Sequence, residues 1–254
     1  MLLQMTDVSK QFGGVKALNG ISFSVDEKEI LGIIGPNGAG KTTIFNLITG
    51  VFPVSSGDIR LEGETLLGRR PHQITERGIS RTFQNIRLFG QMTVLENIMV
   101  GAHCRMQSGF LASLFHTGKQ KAEEKETVER ARELLRFVGL GGLEEELAEN
   151  LPYGKQRRLE IARALAASPK LLLLDEPAAG MNDSETEDLR RLISRIRDEM
   201  GTSVIIIEHD MNLMMNLCNR MVVLNFGSKL AEGEPEEIRS NSAVIEAYLG
   251  KESA

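Results

Sequence analysis

Residues 35–43 read GPNGAGKTT, and this stretch decides the fold together with the residues on either side of it. The run EILGII (29–34) before it is almost continuously apolar, as expected of a strand that is covered on both faces. The run IFNLI (44–48) after it continues as an apolar helix. The sequence therefore predicts a buried strand, a glycine-rich turn and a helix in succession.

The glycine-rich turn fits the spacing G-x-x-x-x-G-K-[ST] with Gly35, Gly40, Lys41 and Thr42. Glycines let the backbone wrap a phosphate, so that successive N–H groups and the N-terminus of the next helix face the anion. Lys41 then reaches the β- and γ-phosphates, and the Thr42 hydroxyl ligates Mg²⁺. A glycine turn that only starts a helix is the alternative, but the flanking strand and helix favour phosphate binding. The residues predicted to bind the nucleotide here are Gly35, Pro36, Asn37, Gly38, Ala39, Gly40, Lys41, Thr42 and Thr43.

Two further apolar runs end in polar residues. LLLLDEP (171–177) ends in adjacent acids, and SVIII (203–207) leads into the polar residues EHD. Ligands of open α/β sheets bind beyond the carboxyl ends of the strands, so these ends are expected to converge on one site. Beside a phosphate loop, Asp175 is placed to hold Mg²⁺ and Glu176 to orient or deprotonate the attacking water. Two solvated surface charges are the alternative for these acids. The guanine-selecting motif N-K-x-D is absent from the sequence, which counts against a GTPase.

The remaining patterns predict an α/β fold with a mostly parallel sheet, an N-terminal antiparallel β portion and a helical part near the middle. The opening segments LLQMTDVSKQF, NGISFSVDEKE and SGDIRLEGE are typical of short antiparallel strands separated by glycine turns. Helical periodicity covers residues 124–140 and 184–200. The apolar face of the second helix is predicted to comprise Leu189, Leu192, Ile193, Ile196 and Met200.

Composition bounds the class of protein. With 41% hydrophobic and 26% charged residues, the chain is expected to be a globular protein of the cytosol, without a signal peptide or a membrane span. A net charge of −5 gives no support for nucleic-acid binding through a basic face. Cys104 and Cys218 lack a partner at metal or redox spacing, and both are interpreted as ordinary small apolar residues.

These motifs together resemble the ATP-binding subunits of ABC transporters. GPNGAGKTT is similar to the family's Walker A segment, LLLLDEP to its Walker B segment, and RTFQNIRLFGQMTVLENI (81–98) to its Q-loop region. The resemblance implies that Gln84 contacts Mg²⁺ or water, and that His209 contacts the γ-phosphate and the attacking water. It also implies that Phe12 stacks on adenine, although an aromatic residue beside a strand is equally typical of a core.

The signature segment departs from the family pattern. The family's L-S-G-G-Q corresponds to LPYGK in LPYGKQRRLEIARALA (151–166), which still predicts an amphipathic helix with its dipole intact. The serine hydroxyl is lost, and Pro152 has no N–H to donate. The resemblance assigns contacts with the ATP of an opposite subunit to Leu151, Gly154 and Lys155. Asn182 also replaces the aspartate of the D-loop. Hydrolysis is expected to persist because Glu176 and His209 are intact, and the altered signature predicts that a site completed by this chain hydrolyses ATP more slowly than one completed by Ser-Gly-Gly.

The signature variant and the runs EPAAGMN and IEHDM are most similar to importers of branched-chain amino acids, in particular to the longer of their two ATP-binding subunits. This implies one ABC domain over 1–254, with a helical subdomain over about 90–165. The expected cofactors are ATP and Mg²⁺. The expected partners are membrane-spanning subunits, a second ATP-binding subunit and, indirectly, a periplasmic or extracellular solute-binding protein. The chain would lie on the cytoplasmic face of the membrane.

Two alternatives to the importer subunit stay open at this point. One is a soluble ABC ATPase of translation or repair, and the other is a nucleotide-gated regulator that hydrolyses ATP weakly. The segment 101–125 contains GFLASLF, which fits either a membrane-subunit contact or a helix packed on its own domain.

Overall fold

The computed structural model describes residues 1–102 and 118–249; Cys104 and most of the segment 101–125 lie outside the described residues. An antiparallel sheet comes first along the chain. Its strands are β1 (Leu3–Phe12), β2 (Val15–Val25), β4 (Ser56–Leu61) and β5 (Glu64–Thr65). They lie in the order β2-β1-β4-β5, and every neighbouring pair is antiparallel. The prediction of an N-terminal antiparallel portion is confirmed.

A six-stranded, mostly parallel sheet forms the centre of the fold. Its strands are β3 (Ile30–Ile34), β6 (Ile79–Arg81), β7 (Leu171–Asp175), β8 (Ser203–Ile207), β9 (Arg220–Asn225) and β10 (Ser228–Gly233). Their order is β10-β9-β3-β8-β7-β6, and only the pair at the β10 edge is antiparallel. Because β3, β7 and β8 are adjacent and parallel, their carboxyl ends meet at one edge, as predicted.

The continuous apolar runs reflect a sheet that is covered on both faces. Successive side chains of a strand point to opposite faces. Leu172 and Leu174 pack into a core formed with the helices, whereas Leu171 and Leu173 pack into a second core shared with the antiparallel sheet. All four leucines are fully buried. Full coverage of both faces therefore requires the unbroken leucine run, and an alternating pattern would leave polar groups in one core.

Helices cover the sheet and connect its strands. They are α1 (Lys41–Ile48), α2 (Pro71–Glu76), α3 (Val94–Ala102), α4 (Gly118–Phe137), α5 (Tyr153–Leu165), α6 (Asp183–Met200), α7 (Met211–Leu217), α8 (Pro235–Ser240) and α9 (Ser242–Leu249). Three of them, α3, α4 and α5, lie between β6 and β7 in the chain and pack on one another. The division of the chain into a core and a helical subdomain over about 90–165 stays a prediction.

The predicted apolar face of helix α6 can be compared with the burial of its residues. Leu189, Leu192, Ile193 and Ile196 of the predicted apolar face are buried, whereas Met200 at the end of that face is 38% exposed. Met200 is the last helical residue, and Gly201 ends the helix with a left-handed φ of 70°. Among the described residues, no helix is both long and apolar enough to cross a membrane.

Cys218 is expected to resist thiol reagents in the folded protein. It follows α7, is 8% exposed, and burial raises the pKa of its thiol to about 12. The reactive thiolate is therefore reduced by roughly 10³-fold relative to an ordinary cysteine. In a Cys104→Ser variant, the thiol should react with Ellman's reagent at pH 8 only after denaturation in guanidinium. A native reaction as fast as that of free cysteine would contradict this burial.

Candidate active site

The loop between β3 and α1 has a backbone that only glycine adopts easily. Gly35, Gly38 and Gly40 have φ values of 152°, 81° and 104°. A Cβ atom on Gly35 would lie 2.3 Å from the carbonyl oxygen of Leu224 on β9, well inside contact distance. The loop thus stays close to the sheet, and its backbone N–H groups are kept near the surface at the N-terminus of α1.

Lys41 begins α1 and is held inside the loop. It is 6% exposed, and its Nζ donates hydrogen bonds to the carbonyl oxygens of Gly35, at 2.7 Å, and Pro36, at 3.2 Å. The N–H of Ala39 donates to the same Pro36 oxygen at 3.1 Å. The ammonium group is therefore held by two backbone carbonyl oxygens of the loop, in the place where an anionic ligand would bind. Other predicted loop residues are more accessible: Asn37, Gly38 and Thr42 are exposed, and Thr43 is half-buried.

Replacing Gly35 by alanine is expected to destabilise the protein more than the same change at Gly38. Both positions have positive φ, which costs about 1–2 kcal/mol for alanine. A Cβ atom at Gly35 would also collide with the backbone of Leu224, whereas a Cβ atom at Gly38 would have no neighbouring atom within 4 Å. Urea unfolding should therefore give a loss of about 3 kcal/mol or more for Gly35→Ala and about 1–2 kcal/mol for Gly38→Ala. Equal losses would show that the close approach to Leu224 does not restrict the loop.

Three predicted site residues meet at the ends of their strands. The Glu176 carboxylate accepts a hydrogen bond from Gln84 Nε2 at 2.7 Å, and its other oxygen lies 3.1 Å from His209 Nε2. Glu176 immediately follows β7 and has a left-handed φ of 47°, while its N–H donates to the carbonyl oxygen of Ile207 on β8. This strained turn aims the carboxylate across the strand ends. The structure therefore brings Gln84, Glu176 and His209 together.

Asp175, the last residue of β7, is paired with an arginine that sequence reasoning missed. Asp175 is 2% exposed, and its Oδ2 accepts a hydrogen bond from Arg81 Nη2 at 2.8 Å. Arg81 ends β6, the strand next to β7. A buried carboxylate needs such a partner because an unpaired buried charge is very costly. The strand order brings these two residues together, and nothing in the spacing of the sequence indicates it.

A second buried carboxylate, Glu208, forms hydrogen bonds with the backbone of the site. It lies between β8 and His209, is 5% exposed, and accepts hydrogen bonds from the N–H of Ala178 at 2.6 Å and of His209 at 3.1 Å. Burial raises the pKa of the Glu208 carboxyl above its ordinary value, and these two donors offset part of the rise. Glu208 thus links the backbone after Glu176 to the backbone of His209.

The segment that carries Gln84 is held by a buried ion pair on α5. Arg157 is fully buried and donates to Glu160 at 2.7 Å, to the Phe83 carbonyl at 2.7 Å and to the Gln84 carbonyl at 2.8 Å. Sequence reasoning missed this residue too. Its position four residues before Ile161 places it on the buried face of the helix, which is the one signal that could have found it.

Phe12 lies at the end of β1 as a partly exposed ring. It is 41% exposed, and its ring centroid lies 5.2 Å from that of Phe52 in an edge-to-face arrangement. The Lys10 ammonium lies 4.7 Å from the Phe12 centroid. Phe12 is therefore a partly exposed ring that contacts Phe52 and Lys10, rather than the buried core residue that was its alternative.

The signature segment starts α5 at Tyr153, after Pro152. Of the predicted contact residues, Leu151 is buried, Gly154 is half-buried and Lys155 is exposed. Asn182, the departure in the D-loop, has a local role. Its side chain accepts a hydrogen bond from the Glu185 N–H at 3.0 Å, and the Glu185 carboxylate accepts one from the Asn182 N–H at 3.1 Å, so that Asn182 caps α6.

Two protein-family models match this chain, one over most of its length and one at its C-terminal part. Residues 18–179 match the model described as ABC transporter, a range that includes the phosphate loop, Gln84, Asp175 and Glu176. Residues 228–254 match the model described as branched-chain amino acid ATP-binding cassette transporter.

Curated proteins and solved structures agree with that match. The chain is 47% identical to the high-affinity branched-chain amino acid transport ATP-binding protein BraF of Pseudomonas aeruginosa, over 98% of each chain. It is 44% identical to LivG of Escherichia coli, which has the same description, again over 98% of each. Its fold is similar to an ATP-binding cassette of an ABC transporter in the ADP conformation, with a TM-score of 0.86, 34% identity and 98% coverage of both chains. It is similar as well to a nucleotide-free cassette, with a TM-score of 0.84, 34% identity and coverage of 97% and 98%. The chain therefore belongs to the ABC transporter family, as one of its ATP-binding cassettes.

Proposed function

We propose that this chain is the ATP-hydrolysing subunit of an ABC importer for branched-chain or related hydrophobic amino acids. The observation that carries the proposal is the meeting of Gln84, Glu176 and His209 at the strand ends that follow the phosphate loop. The relatives that cover nearly the whole chain are named for branched-chain amino acid transport, which supports the choice of substrate class.

ATP fits the loop by both shape and charge. A Cβ atom at Gly35 would collide with the sheet, so the loop has the close backbone packing that a phosphate cradle needs. Backbone N–H groups of residues 35–43 would surround the β- and γ-phosphates, and the Lys41 ammonium would exchange its two carbonyl acceptors for phosphate oxygens. Phe12 is 41% exposed, so adenine could stack on the exposed part of its ring.

The oxygen donors near the loop fit Mg²⁺. Thr42 supplies a hydroxyl, Asp175 a carboxylate and Gln84 an amide oxygen, since the Gln84 amide nitrogen is engaged by Glu176. Hard oxygen donors of this kind suit Mg²⁺. When bound, Mg²⁺ neutralises the phosphate charge that develops during transfer.

Hydrolysis is assigned to the residues that meet at Glu176. Its carboxylate would orient the attacking water and accept its proton. His209 and Gln84 each contact a different oxygen of the carboxylate, at 3.1 and 2.7 Å, which fixes its orientation. Glu176 is therefore the proposed general base, and His209 and Gln84 complete the contacts to phosphate, water and metal.

A second ATP-binding subunit would complete the site. The N-terminus of α5 is half-buried at Gly154 and exposed at Lys155, and its backbone N–H groups and dipole suit a phosphate held by another subunit. Pro152 and Tyr153 remove the serine and glycine of the usual signature, and we propose that hydrolysis is slower at the site they complete. Replacing both by serine and glycine should raise ATP turnover, and unchanged turnover would contradict this part of the proposal.

The membrane-spanning partner would dock in a groove beside the Gln84 segment. This groove has a volume of about 410 Å³ and is lined partly by Phe83, Phe89, Val100 and Arg163. Phe89 is 48% exposed and Val100 42%, which is a large apolar exposure for neighbouring side chains. The proposed location is the cytoplasmic face of the membrane, with the solute-binding protein contacting the membrane subunits on the other side. The GFLASLF segment, the other candidate contact, lies outside the described residues.

Co-purification tests this assignment. The tagged chain is extracted in mild detergent, and polytopic membrane proteins with a second ATP-binding subunit should be recovered. Ribosomes or nucleic acid in their place would favour the soluble ABC alternative, and intact partners without measurable ATP turnover would favour the nucleotide-gated regulator. Phe89→Asp should lose the membrane proteins and keep nucleotide binding. Ile245→Asp, at a residue of similar exposure on α9, serves as the control and should retain both.

A further inference from the structure

The ion pair between Arg81 and Asp175 lies in the interior at the end of two neighbouring strands. The Nη2–Oδ2 distance is 2.8 Å, and the two side chains are only 8% and 3% exposed. Removing one partner from a buried pair leaves an uncompensated charge, which is strongly destabilising. Arg81 therefore balances the charge of Asp175 while no metal ion is bound.

Arg81 is held by groups other than Asp175. Its Nη1 donates to Asn46 Oδ1 on α1 at 2.7 Å. Its guanidinium carbon lies 5.4 Å from the Phe45 ring centroid and 5.3 Å from that of Phe83. Within the described residues its buried Nε has no hydrogen-bond partner. Stacking and the Asn46 bond would thus keep the guanidinium in place if the bond to Asp175 were broken.

The bond to Asp175 is a one-point contact rather than a two-point fork. Arg81 reaches a single carboxylate oxygen, Oδ2, through a single nitrogen. Fork-shaped pairs between arginine and carboxylate gain energy and geometric specificity from two parallel bonds, and this pair lacks the second bond. Asp175 is therefore charge-balanced, and exchanging Arg81 for another cation would break one hydrogen bond rather than two.

We infer that Arg81 is a positioning residue that holds the ionised Asp175 carboxylate until a divalent cation replaces it as the partner. This inference rests on the proposed function, in which Asp175 faces Mg²⁺. Two positive charges beside one carboxylate repel each other, so the cation and Arg81 compete for Asp175. The competition sets the Mg²⁺ concentration at which the site fills, and it keeps the empty site stable.

The test measures thermal unfolding of the purified chain with Arg81→Met, Asp175→Asn and the double variant. In EDTA without nucleotide, Arg81→Met should lower Tm by roughly 5–10 °C. The same change should cost much less in the Asp175→Asn background, because no carboxylate is left unpaired. With ADP present, a MgCl₂ titration should restore most of the Tm of Arg81→Met, with the half-saturating Mg²⁺ concentration about tenfold below that of the wild type.

Two controls separate charge from packing. Arg81→Lys retains the positive charge and should keep a Mg²⁺ dependence near that of the wild type. Arg87→Met removes an exposed arginine that lies 4.6 Å from the same Phe83 ring, and it should leave the Mg²⁺ dependence unchanged.

The outcomes distinguish this inference from the proposed function. An equal loss of Tm from Arg81→Met with and without Asp175, or a higher Mg²⁺ requirement, would contradict the role of Arg81 alone. If ADP with Mg²⁺ fails to stabilise the wild-type chain, the nucleotide site itself is wrong and the inference falls with it.

Discussion

The Glu176→Gln variant is expected to hydrolyse ATP about 10²- to 10⁴-fold more slowly than the wild type while it still binds nucleotide. Glutamine matches glutamate in size and can keep one acceptor oxygen for Gln84 Nε2. It cannot accept the proton of the attacking water. The loss should therefore appear in kcat, because the phosphate loop that binds ATP is unchanged.

Phosphate release measures the rate, and a fluorescent ATP analogue measures binding. Glu187→Gln is the matched control, since it removes a half-buried carboxylate of α6 outside the site, whose pKa is lowered to about 2 mainly by hydrogen bonds from Arg190 and Arg191. This control should hydrolyse ATP at the wild-type rate. A Glu176→Gln enzyme within threefold of wild-type turnover would remove Glu176 from the role of general base.

The Arg157→Met variant is expected to lower the free energy of unfolding by about 3–5 kcal/mol. The substitution leaves the Glu160 carboxylate buried without its ionic partner and removes the donors to the Phe83 and Gln84 carbonyls. The Gln84 segment then loses its anchor on α5. We expect a lower kcat as a second effect, because Gln84 no longer holds Glu176 in one position.

Urea unfolding of Arg157→Met, Glu160→Gln and the double variant gives the coupling between the two side chains. The double variant should lose less than the sum of the single losses, by 1 kcal/mol or more. Arg158→Met is the control on the same helix. Its ion pair with Asp188 is partly exposed, and its loss should cost under about 1 kcal/mol. Additive losses at residues 157 and 160 would show that the buried pair does not act as a unit.

The main elements of the site could be predicted from the sequence because each of them has a recognisable short-range pattern. The strand before the phosphate loop, the glycines at Gly35 and Gly40 and the acids after the leucine run all follow from short-range patterns. The structure confirms the α/β fold and the antiparallel N-terminal portion. It also places Gln84 Nε2 2.7 Å from the Glu176 carboxylate, although 92 residues separate the two in the chain. The contact of Gln84 with Mg²⁺ or water, which the resemblance to the family implied, stays a prediction.

The partners of the site carboxylates could not be predicted in the same way. Arg81 and Arg157 are cationic residues that, by default, face solvent, and their burial depends on strand order and on the packing of α5 against the Gln84 segment. The role of Glu208 could not be predicted either, because its carboxylate accepts hydrogen bonds from backbone N–H groups, and no pattern of side chains indicates such bonds. Asn182 was interpreted as a departure at a subunit contact, and its capping of α6 gives it a local structural reason.

The central claim is that hydrolysis at Glu176 drives amino-acid import, and transport by the reconstituted complex tests it most directly. The chain and its co-purified membrane subunits are placed in proteoliposomes with ATP on the side of the ATP-binding subunits, and uptake of radiolabelled leucine is followed with the matching solute-binding protein on the other side. The wild-type complex should accumulate leucine only with ATP, and the Glu176→Gln complex should not. Leucine accumulation that is equal in the two complexes, or absent from a wild-type complex that hydrolyses ATP, would contradict the account.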